Sequence, residues 1–474
     1  MFKNYVKVLN RVLDDIRPNS IEKNRLGFLS KKVLDLANNE AKKYEARPIL
    51  AGSLTRDTWL PTKKEFDVFI IFPKTLSLKK LERVGLKIGK SIIKKLKGEW
   101  VIEYAQHPYV RGKAFDTEID IVPCYKKEPG EKIKSAVDRT PFHVEYLNKN
   151  FPRKLSDDVR LLKQFCGANK IYGADAKTEG FSGYVCELLV MHYGGFINVL
   201  KNAVKWKSKE VIDPEKFYRK EDYHYLKGGF KRQVLIIIDP TDKTRNAAAA
   251  ISAKSFFTLK KKAGEFLKKP SKEAFFEKKR EPITENDLIL AQMKRRTELL
   301  LVVFKPPKVV PDILWPQLRR FAERLEGMLK EDEFVVLRKD IYTNEKDLAT
   351  ILLEMEISKL PYVNKKIGPL VFDLDDSERF IKKYKESLNG PFVENNFWCV
   401  EVERGFTTAR EKLVDSLTEK EKVLKERGVP NHIADKIAKK FDVVCENDNI
   451  MNLIKKDKNF GIFLRKYFEK ESLV

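Results

Sequence analysis

Three carboxylate side chains lie at or near the starts of two short apolar segments and could bind metal ions. Glu65 and Asp67 precede the apolar Val68–Phe72, and Asp120 lies inside the segment TEIDIVPCY. Because side chains alternate across a strand, Glu65 and Asp67 at positions i and i+2 point to the same face. Neighbouring carboxylates repel one another, and a hard divalent cation such as Mg²⁺ relieves that repulsion. Two such ions about 3.5–4 Å apart support in-line displacement at phosphorus, so the pattern predicts nucleotidyl transfer.

A Gly-Ser pair upstream of these carboxylates predicts a phosphate-binding turn. Gly52 and Ser53 follow a short apolar segment and open a short helix in AGSLTR. Free backbone N–H groups at a helix start suit a phosphate chain, to which Ser53 can add a hydroxyl and Arg56 a guanidinium. An ordinary helix cap is the better explanation of a lone Gly-Ser pair, and acidic strand ends often only face solvent. The ordered combination of Gly-Ser, Glu-x-Asp and a later Asp favours the metal and phosphate interpretation.

The elements around these residues predict a mixed α/β unit. Residues 1–47 have the periodicity of two helices, and residues 79–97 that of an amphipathic helix with a lysine-rich outer face. Strand-like segments alternate with the helices, which predicts a sheet backed by helices. These segments are Pro48–Ala51, Glu65–Phe72, Trp100–Tyr104 and Thr117–Val122.

The middle of the chain is predicted to be mainly helical. Residues 140–204 have a helical pattern, in which we interpret GFSGY at 180–184 as a tight turn that starts a core helix. Residues 233–238 predict a short strand before Asp239-Pro240, and residues 246–253 predict a return to helix. The basic stretch 260–280 predicts a solvated helix and linker.

The remaining chain has the element order β-α-β-β-α-β, which is typical of a ferredoxin-like sandwich. The segments are 298–304, 312–329, 333–337, 349–357, 377–386 and 398–403, and a helical, basic end follows. We therefore expect an α+β multidomain protein. Its parts are a mixed-sheet catalytic head at 1–139, a mainly helical neck at 140–256, and a body with a ferredoxin-like tail at 257–474.

The charge balance predicts a polyanionic partner. The 474-residue chain has 94 Lys and Arg against 69 Asp and Glu, a formal net charge of +25, which attracts RNA, DNA or an anionic membrane face. A membrane is the least favoured of the three, because no apolar run approaches the roughly 20 residues that span one. The five cysteines form no CxxC pair and the N-terminus has no apolar signal core. We therefore expect a cytoplasmic protein with reduced thiols.

Longer motifs are more specific than these spacings. They are AQHPYV at 105–110, RTPFH at 139–143, LLKQF at 161–165, IYGA at 171–174, GFSGYVCELL at 180–189, DPTDKTRNAAA at 239–249, PQLRRFAER at 316–324 and RGFTTAREKL at 404–413. With the carboxylate pattern, they resemble the polymerase-β-type nucleotidyltransferase superfamily, and within it the archaeal, class I CCA-adding enzymes. The resemblance extends to about residue 415 and implies a head like the palm of polymerase β.

The resemblance also implies roles for individual residues in the head. The matched roles are Mg²⁺ ligation by Glu65, Asp67 and Asp120, and triphosphate contacts by Ser53 and Arg56 in the turn that begins at Gly52.

Further matches extend the nucleotide site beyond the carboxylates. His143, Lys163 and Tyr172 match positions that bind the incoming ATP or CTP, Arg245 matches an arginine that helps to read the base edge, and His107 lies in a motif that shapes the pocket near the primer end. Taken alone, each has an ordinary explanation, as a core histidine, an exposed helix lysine, a packing tyrosine or a surface arginine.

The implied activity is template-independent addition of CCA to the 3′ end of tRNA from CTP and ATP, with contacts to the acceptor arm. Two alternatives stay open. One is a poly(A) or uridylyl transferase of the same superfamily, and the other is a basic RNA-binding protein without catalytic activity. The sequence also leaves a homodimer open.

Overall fold

The computed structural model describes residues 2–104, 107–127, 136–470 and 472–473 of the chain, which folds as two compact units. One unit comprises Met1–Lys279 with Ser472–Val474, and the other comprises Arg280–Glu471. The mixed strands and helices of both units confirm the predicted α+β multidomain class.

The first unit begins with two helices, continues with a sheet and then becomes mainly helical. Its helices are α1 (Phe2–Ile16), α2 (Ser20–Ala41), α3 (Leu78–Lys95), α4 (Ala136–Asn150), α5 (Ser156–Ala168), α6 (Gly183–Tyr193), α7 (Phe196–Lys205), α8 (Tyr223–Gly229) and α9 (Ala253–Lys268). Its strands are β1 (Arg47–Ala51), β2 (Glu65–Phe72), β3 (Glu99–Tyr104), β4 (Pro108–Ala114), β5 (Thr117–Tyr125), β6 (Glu210–Ile212), β7 (Leu235–Asp239) and β8 (Asp242–Asn246).

Strands β1–β5 form one sheet in the order β1-β2-β5-β4-β3. Strands β2 and β5 are parallel, and the other neighbouring pairs are antiparallel. The four predicted strands are present, whereas β4 was not predicted. Its buried positions are Val110, Gly112 and Ala114, and small residues give a weak apolar signal.

Both faces of this sheet are covered, but by different elements. Even-numbered residues of Phe66–Phe72 pack in a hydrophobic cluster with α2 and α3. Odd-numbered residues of the same segment pack with Val144 of α4. Because side chains alternate along β2, Glu65 and Asp67 continue the second of these faces. The carboxylates therefore lie on the side of the sheet opposite to α2 and α3.

The neck helices share one core with the N-terminal helix. Tyr5 and Val12 of α1 belong to the same hydrophobic cluster as residues of α5, α6, α7 and α9. The Tyr5 hydroxyl donates to the Leu267 carbonyl at 2.7 Å. Strands β6, β7 and β8 add a small sheet to this part of the unit. Across the described ranges no single helix is long and apolar enough to cross a membrane, while the bent pair α6–α7, turned by 92°, meets the length and composition requirement when combined.

Two expectations for the end of the neck are wrong. Residues 246–253 do not form a helix, because β8 ends at Asn246 and α9 begins at Ala253, where the Ser252 hydroxyl caps the first turn. The stretch after residue 260 is not simply solvated, since Ala263 and Phe266 are buried in the core between lysines. The predicted boundary after residue 256 falls inside α9, and the three-part domain division stays a prediction.

The second unit contains two sheets with helices on both sides of the larger one. Its helices are α10 (Glu285–Arg295), α11 (Pro311–Glu331), α12 (Leu374–Tyr384), α13 (Ala409–Leu417), α14 (Glu421–Glu426), α15 (Asn431–Ile437), α16 (Asn447–Lys456) and α17 (Lys458–Phe468). Its strands are β9 (Glu298–Phe304), β10 (Val335–Thr343), β11 (Ala349–Ile357), β12 (Val363–Leu370), β13 (Asn389–Glu394), β14 (Phe397–Glu403) and β15 (Phe441–Val444).

The larger sheet has the predicted ferredoxin-like order, but the predicted second helix and fourth strand are wrong, because α12 packs on the smaller sheet and α13 to α15 share the core of the larger one. Its order is β10-β11-β9-β15 with antiparallel neighbours, which is a β-α-β-β-α-β arrangement. The predicted last strand, residues 398–403, instead lies within β14 and pairs with β12 and β13 in a separate three-stranded sheet. The actual fourth strand, β15, is the four-residue segment FDVV between helices, too short for its alternation to be read from the sequence.

One buried carboxylate ties together the elements of the second unit. Glu354 of β11 is 0% exposed and accepts from Arg295 Nε at 2.5 Å and from Arg338 Nε at 3.0 Å. The hydroxyls of Thr297 and Tyr467 also donate to it, at 2.7 and 2.8 Å. Burial by itself would raise the pKa of Glu354, but these bonds outweigh burial and lower the pKa to about 2.

This shift predicts acid sensitivity of the second unit. A carboxyl with a depressed pKa in the folded state stabilises the fold above its unfolded pKa and loses that contribution as the pH falls. We expect about 3 kcal/mol of stability from Glu354 near neutral pH, lost between about pH 4.5 and pH 2. Urea unfolding of wild type and Glu354→Gln from pH 7 to pH 3 measures it. A difference between the two proteins that does not shrink at low pH would contradict this assignment.

Candidate active site

The sheet register places two of the predicted carboxylates side by side. Asp67 of β2 is the direct neighbour of Asp120 on the parallel strand β5, and Glu65 is the neighbour of Glu118. Residues in register on parallel strands point to the same face. The pair Asp67–Asp120 is partly buried, whereas Glu65 is exposed at the strand start. The sequence prediction that carboxylates from two strands meet on one face therefore agrees with the register.

The electrostatics of this pair are those of crowded carboxylates. Burial raises the pKa of Asp67 to about 7, and the charges of Asp120 and Glu65 add to the effect. The neighbouring strand β4 supplies a positive charge to Asp120. Arg111 Nε lies 2.9 Å from Asp120 Oδ1 and its Nη2 lies 2.8 Å from Oδ2, a bidentate pair. Arg111 was not predicted as a site residue, because β4 itself was not predicted.

The donors of this cluster fit a divalent cation. Within the described parts of the chain, no three His, Cys, Asp or Glu side chains stand grouped so as to hold a metal ion, and the Asp120 carboxylate is directed at Arg111. Hard carboxylate oxygens suit ions such as Mg²⁺, and a raised pKa on Asp67 marks a place where added positive charge is favourable. The arginine supplies part of that charge to Asp120.

The predicted phosphate-binding turn packs directly against Asp67. Gly52 has φ +83° and ψ −172° and precedes a short 3₁₀ turn, Ser53–Arg56. A Cβ atom at Gly52 would lie 3.1 Å from Asp67 Oδ2. Both the backbone conformation and the close approach require glycine. The turn and the carboxylate pair therefore form one site.

Replacing this glycine tests the packing. We expect Gly52→Ala to lower the free energy of unfolding by about 1–3 kcal/mol, because alanine is strained in this conformation, and to lower activity by displacing Asp67. Thermal unfolding and a nucleotide-incorporation assay measure the two effects. Gly167→Ala in α5 is the matched control, since a Cβ there meets nothing within 4 Å, and it should be neutral or slightly stabilising. Equal behaviour of the two variants would contradict this account.

Two predicted cationic residues meet beneath the turn in a buried network. Arg56 and Lys163 are 4% and 3% exposed and share the carboxylate of Glu187, which is 2% exposed. Arg56 Nη2 donates to Glu187 Oε2 at 3.0 Å, and Lys163 Nζ lies 3.8 Å from Oε1. The Thr58 hydroxyl donates to Oε1 at 2.6 Å and accepts from Lys163 Nζ at 3.1 Å. Two buried cations thus share one anion, which leaves excess positive charge under the turn.

Tyr172 and the start of α6 lie beside Lys163. A Cβ built at Gly183 would lie 3.3 Å from the Tyr172 hydroxyl and 3.7 Å from Lys163 Nζ. Burial lowers the pKa of Lys163 and raises that of Tyr172. Ser182 caps α6 by accepting from the Val185 N–H at 3.1 Å, so the glycine-rich motif begins a core helix, as predicted. Gly183, the first residue of α6, lies next to the ends of the Lys163 and Tyr172 side chains.

His143 and Arg245 are joined by a carboxylate that the sequence analysis did not select. Asp239, 0% exposed, accepts at Oδ2 from His143 Nε2 at 2.9 Å and from Arg245 Nη1 at 2.6 Å. At Oδ1 it accepts from the Tyr184 hydroxyl at 3.0 Å and from the backbone and hydroxyl of Thr241. A buried Asp at the end of an apolar strand was the available signal. Asp239 also opens the motif DPTDKTRNAAA, but the motif by itself does not indicate its partners.

His107, which belongs to the motif predicted to shape the pocket near the primer end, lies beside α3. Its Nδ1 lies 3.6 Å from Glu82 Oε1 of α3, a helix that packs on the sheet face opposite to the carboxylates. The structure therefore does not bring His107 into the Asp67–Asp120 cluster. Ala105 and Gln106, which precede it in the AQHPYV motif, lie outside the described residues.

The fold and the site define a nucleotidyltransferase. The family model for the nucleotidyltransferase domain matches residues 31–143, that for the second domain of tRNA nucleotidyltransferase matches 157–276, and that for the C-terminal domain of the CCA-adding enzyme matches 295–446. Enzymes of this superfamily use divalent metal ions.

Relatives identify the family within that class. The CCA-adding enzyme of Methanocaldococcus jannaschii is 38% identical over 389 residues, 80% of this chain and 84% of that protein. The CCA-adding enzyme of Methanosarcina acetivorans is 33% identical over 463 residues, 96% and 97% of the two proteins. The chain belongs to the family of CCA-adding enzymes. The similarity continues past residue 415, where the motif resemblance ended. A solved structure of the Cid1 poly(U) polymerase, 13% identical with a TM-score of 0.46, is aligned with 59% of this chain and 100% of that one.

Proposed function

We propose that this chain adds CCA to the 3′ end of tRNA from CTP and ATP, without a nucleic-acid template, by Mg²⁺-dependent nucleotidyl transfer. The single observation that carries the assignment of the reacting centre is the register of Asp67 beside Asp120, where Gly52 leaves no room for a side chain next to the Asp67 carboxylate. Membership of the CCA-adding family supports the substrate class. In this proposal Glu65, Asp67 and Asp120 hold the metal ions.

The reaction forms one bond and breaks one bond at phosphorus. The oxygen of the RNA 3′ hydroxyl bonds to the α-phosphorus, its proton goes to solvent, and the bond from the α-phosphorus to the bridging oxygen breaks, so that pyrophosphate leaves with that electron pair. When bound, the divalent ions lower the pKa of the hydroxyl and neutralise charge on the triphosphate.

The protein binds and orients the triphosphate in this scheme. Backbone N–H groups after Gly52 and the Ser53 hydroxyl donate to phosphate oxygens. Arg56 and Lys163 place positive charge beneath the same turn, with Glu187 offsetting only one of the two charges. The Tyr172 hydroxyl, beside Lys163 at the start of α6, supplies a further donor.

Selection of C and A over U and G is assigned to the groups around Asp239. Cytosine and adenine both present an exocyclic amine beside a ring nitrogen acceptor, whereas uracil and guanine present a different pattern. Arg245, together with a backbone phosphate of the RNA, and His143 would read that shared pattern. The formal charge of +25 supports binding of the acceptor arm through the phosphate backbone of the tRNA.

Products made from a tRNA that lacks its terminal CCA test the proposal. Incubation with CTP alone should stop after two additions, and CTP with ATP should give CCA and then stop. UTP and GTP should be incorporated at least about tenfold more slowly. Sequencing the 3′ ends gives the result. Long A or U tails would favour the poly(A) or uridylyl transferase alternative, and no addition by a folded protein would favour a non-catalytic RNA-binding protein.

A further inference from the structure

The buried carboxylate of Asp239 joins the predicted nucleotide-binding residues His143 and Arg245. Its two oxygens receive bonds from four side chains that come from α4, from α6 and from the β7–β8 hairpin. Burial disfavours its charge, but the bond from His143, the charge of protonated His143, the Thr241 N–H and the charge of Arg245 together hold the pKa of Asp239 well below its usual range. It is therefore an ionised, acceptor-only group at the centre of the predicted base-reading residues.

The bond from Arg245 to Asp239 holds the Arg245 guanidinium in place against repulsion by the positive charge of Arg139. Burial and the nearby Arg245 both lower the pKa of Arg139, so two guanidiniums lie close together. Asp239 holds Arg245 through Nη1 alone, and the arginine side chain is 30% exposed. This bond anchors one nitrogen of the guanidinium, and its other N–H groups can donate to a base edge or a phosphate.

The bond to His143 fixes the position of a proton. An ionised carboxylate can accept hydrogen bonds but cannot donate them. His143 Nε2 lies 2.9 Å from Asp239 Oδ2, so Nε2 must carry the hydrogen of this bond. The neutral ring then has Nδ1 as an acceptor. The Tyr184 ring stacks on the imidazole at 3.9 Å with an angle of 14°, and its hydroxyl is bound to Asp239 Oδ1. Ring plane and tautomer are thus both determined by the same carboxylate.

We propose that Asp239 is a positioning residue for nucleotide selection, which orients the Arg245 guanidinium and keeps His143 in the Nε2–H tautomer. This role rests on the proposed function. Asp239 touches neither the nucleotide nor the RNA in this scheme and acts through the two side chains that do.

Kinetic selectivity separates this role from a structural one. In Asp239→Asn only one of the two terminal atoms can accept hydrogen bonds, and it carries no charge, so either His143 and Arg245 or Tyr184 and Thr241 lose their acceptor. The ratio of kcat/KM for CTP over UTP should then fall about 10- to 100-fold. The Kd for tRNA should change by less than about threefold. Asp213→Asn is the matched control, since Asp213 is also buried (5% exposed) and accepts from the Tyr218 N–H at 2.8 Å. An equal loss of rate for all four nucleotides in Asp239→Asn would overturn the proposal.

A double-mutant cycle tests whether Asp239 acts through Arg245. If it does, Asp239→Asn should cost little further selectivity in an Arg245→Ala background, because the group that it orients is already gone. Selectivity losses that multiply would show two independent effects and would overturn the proposal.

The tautomer can be measured on the wild-type protein, so the proposal does not depend on whether the variant folds. Nitrogen-15 spectra of the five histidines, with His143 identified by its loss in His143→Gln, should show a protonated Nε2 and an unprotonated Nδ1 above the pKa of the ring. A His143 ring with its proton on Nδ1 would contradict the proposal. Long A or U tails made by the wild type would refute the proposed function. The role of Asp239 would still be tested, because a positioning residue predicts that Asp239→Asn loses the preference for whichever nucleotide the wild type adds.

Discussion

Replacing Asp67 by Asn is expected to lower kcat for nucleotide addition at least about 10³-fold without destabilising the protein. The loss of rate follows because Asp67 is assigned to hold the ions that activate the 3′ hydroxyl and stabilise the departing pyrophosphate. The absence of a stability loss follows because burial, Asp120 and Glu65 raise the pKa of Asp67 to about 7. Ionised Asp67 therefore costs folding free energy above its unfolded pKa, and the neutral amide removes that cost.

Glu118→Gln is the matched control for this variant. Glu118 lies on the same face of β5 as Asp120 and is the register neighbour of Glu65, but it is exposed. We expect its replacement to change kcat less than about threefold. Single-turnover incorporation of CMP and thermal unfolding in metal-free buffer measure both properties. Activity of Asp67→Asn within tenfold of wild type would refute the metal assignment. An equal loss in both variants would show a general effect of surface charge.

The second large effect is expected at Glu187, as a loss of stability. Glu187→Gln removes the anion that Arg56 and Lys163 share at 3.0 and 3.8 Å, while all three residues are at most 4% exposed. Leaving buried cations without their partner costs about 3–5 kcal/mol, which corresponds to a fall in Tm of roughly 10 °C. Pyrophosphate should raise the Tm of this variant more than that of wild type, because an anion bound at the Gly52 turn partly offsets the unbalanced positive charge of Arg56 and Lys163.

Two further variants show whether this loss is specific. Thr58→Val removes one hydrogen bond from the same network but keeps its charges, so about 1 kcal/mol is expected. Glu354→Gln removes a buried carboxylate from the second unit, and its effect should not respond to pyrophosphate. If Glu187→Gln unfolds at the wild-type temperature, the network does not carry the charges assigned here.

Local sequence patterns were sufficient to predict the strand that carries Glu65 and Asp67 and the turn beside it. The strand Glu65–Phe72 has the predicted bounds, because an apolar run of this length buried on both faces has few alternatives. The i, i+2 rule also placed Glu65 and Asp67 on one face without any knowledge of the partner strand. The close approach of Gly52 to Asp67 agrees with a Gly-Ser turn beside the carboxylates.

Partners that are distant along the chain could not be predicted in this way. Arg56 and Glu187 are separated by 131 positions, and His143 and Asp239 by 96. No local period relates such pairs, so Glu187 and Asp239 emerged only from the tertiary structure. Arg111 is only nine positions from Asp120, but the pairing needed β4, whose small buried residues hid it.

The ferredoxin-like part shows the same limit in topology. The element order was read correctly up to β11, since each segment has a clear period. The insertion of β12, α12, β13 and β14 before the last strand made the longer strand 397–403 a better local candidate than the four-residue β15. The strand that completes the sheet is the one that pairs with the free edge of β9. That pairing joins residues far apart in the sequence, so local patterns do not predict it.

The number of Mn²⁺ ions bound at the site tests the central claim most directly. Electron paramagnetic resonance measures the free Mn²⁺ that remains in a mixture of protein, CTP and tRNA. The tRNA ends in a 3′-deoxynucleotide, so that no reaction occurs. The amount of Mn²⁺ bound by CTP alone is subtracted. We predict that wild type and Glu118→Gln bind Mn²⁺ beyond that value and that the double variant Asp67→Asn/Asp120→Asn does not. Equal binding by all three proteins would contradict the assignment of Asp67 and Asp120 as the metal-holding carboxylates.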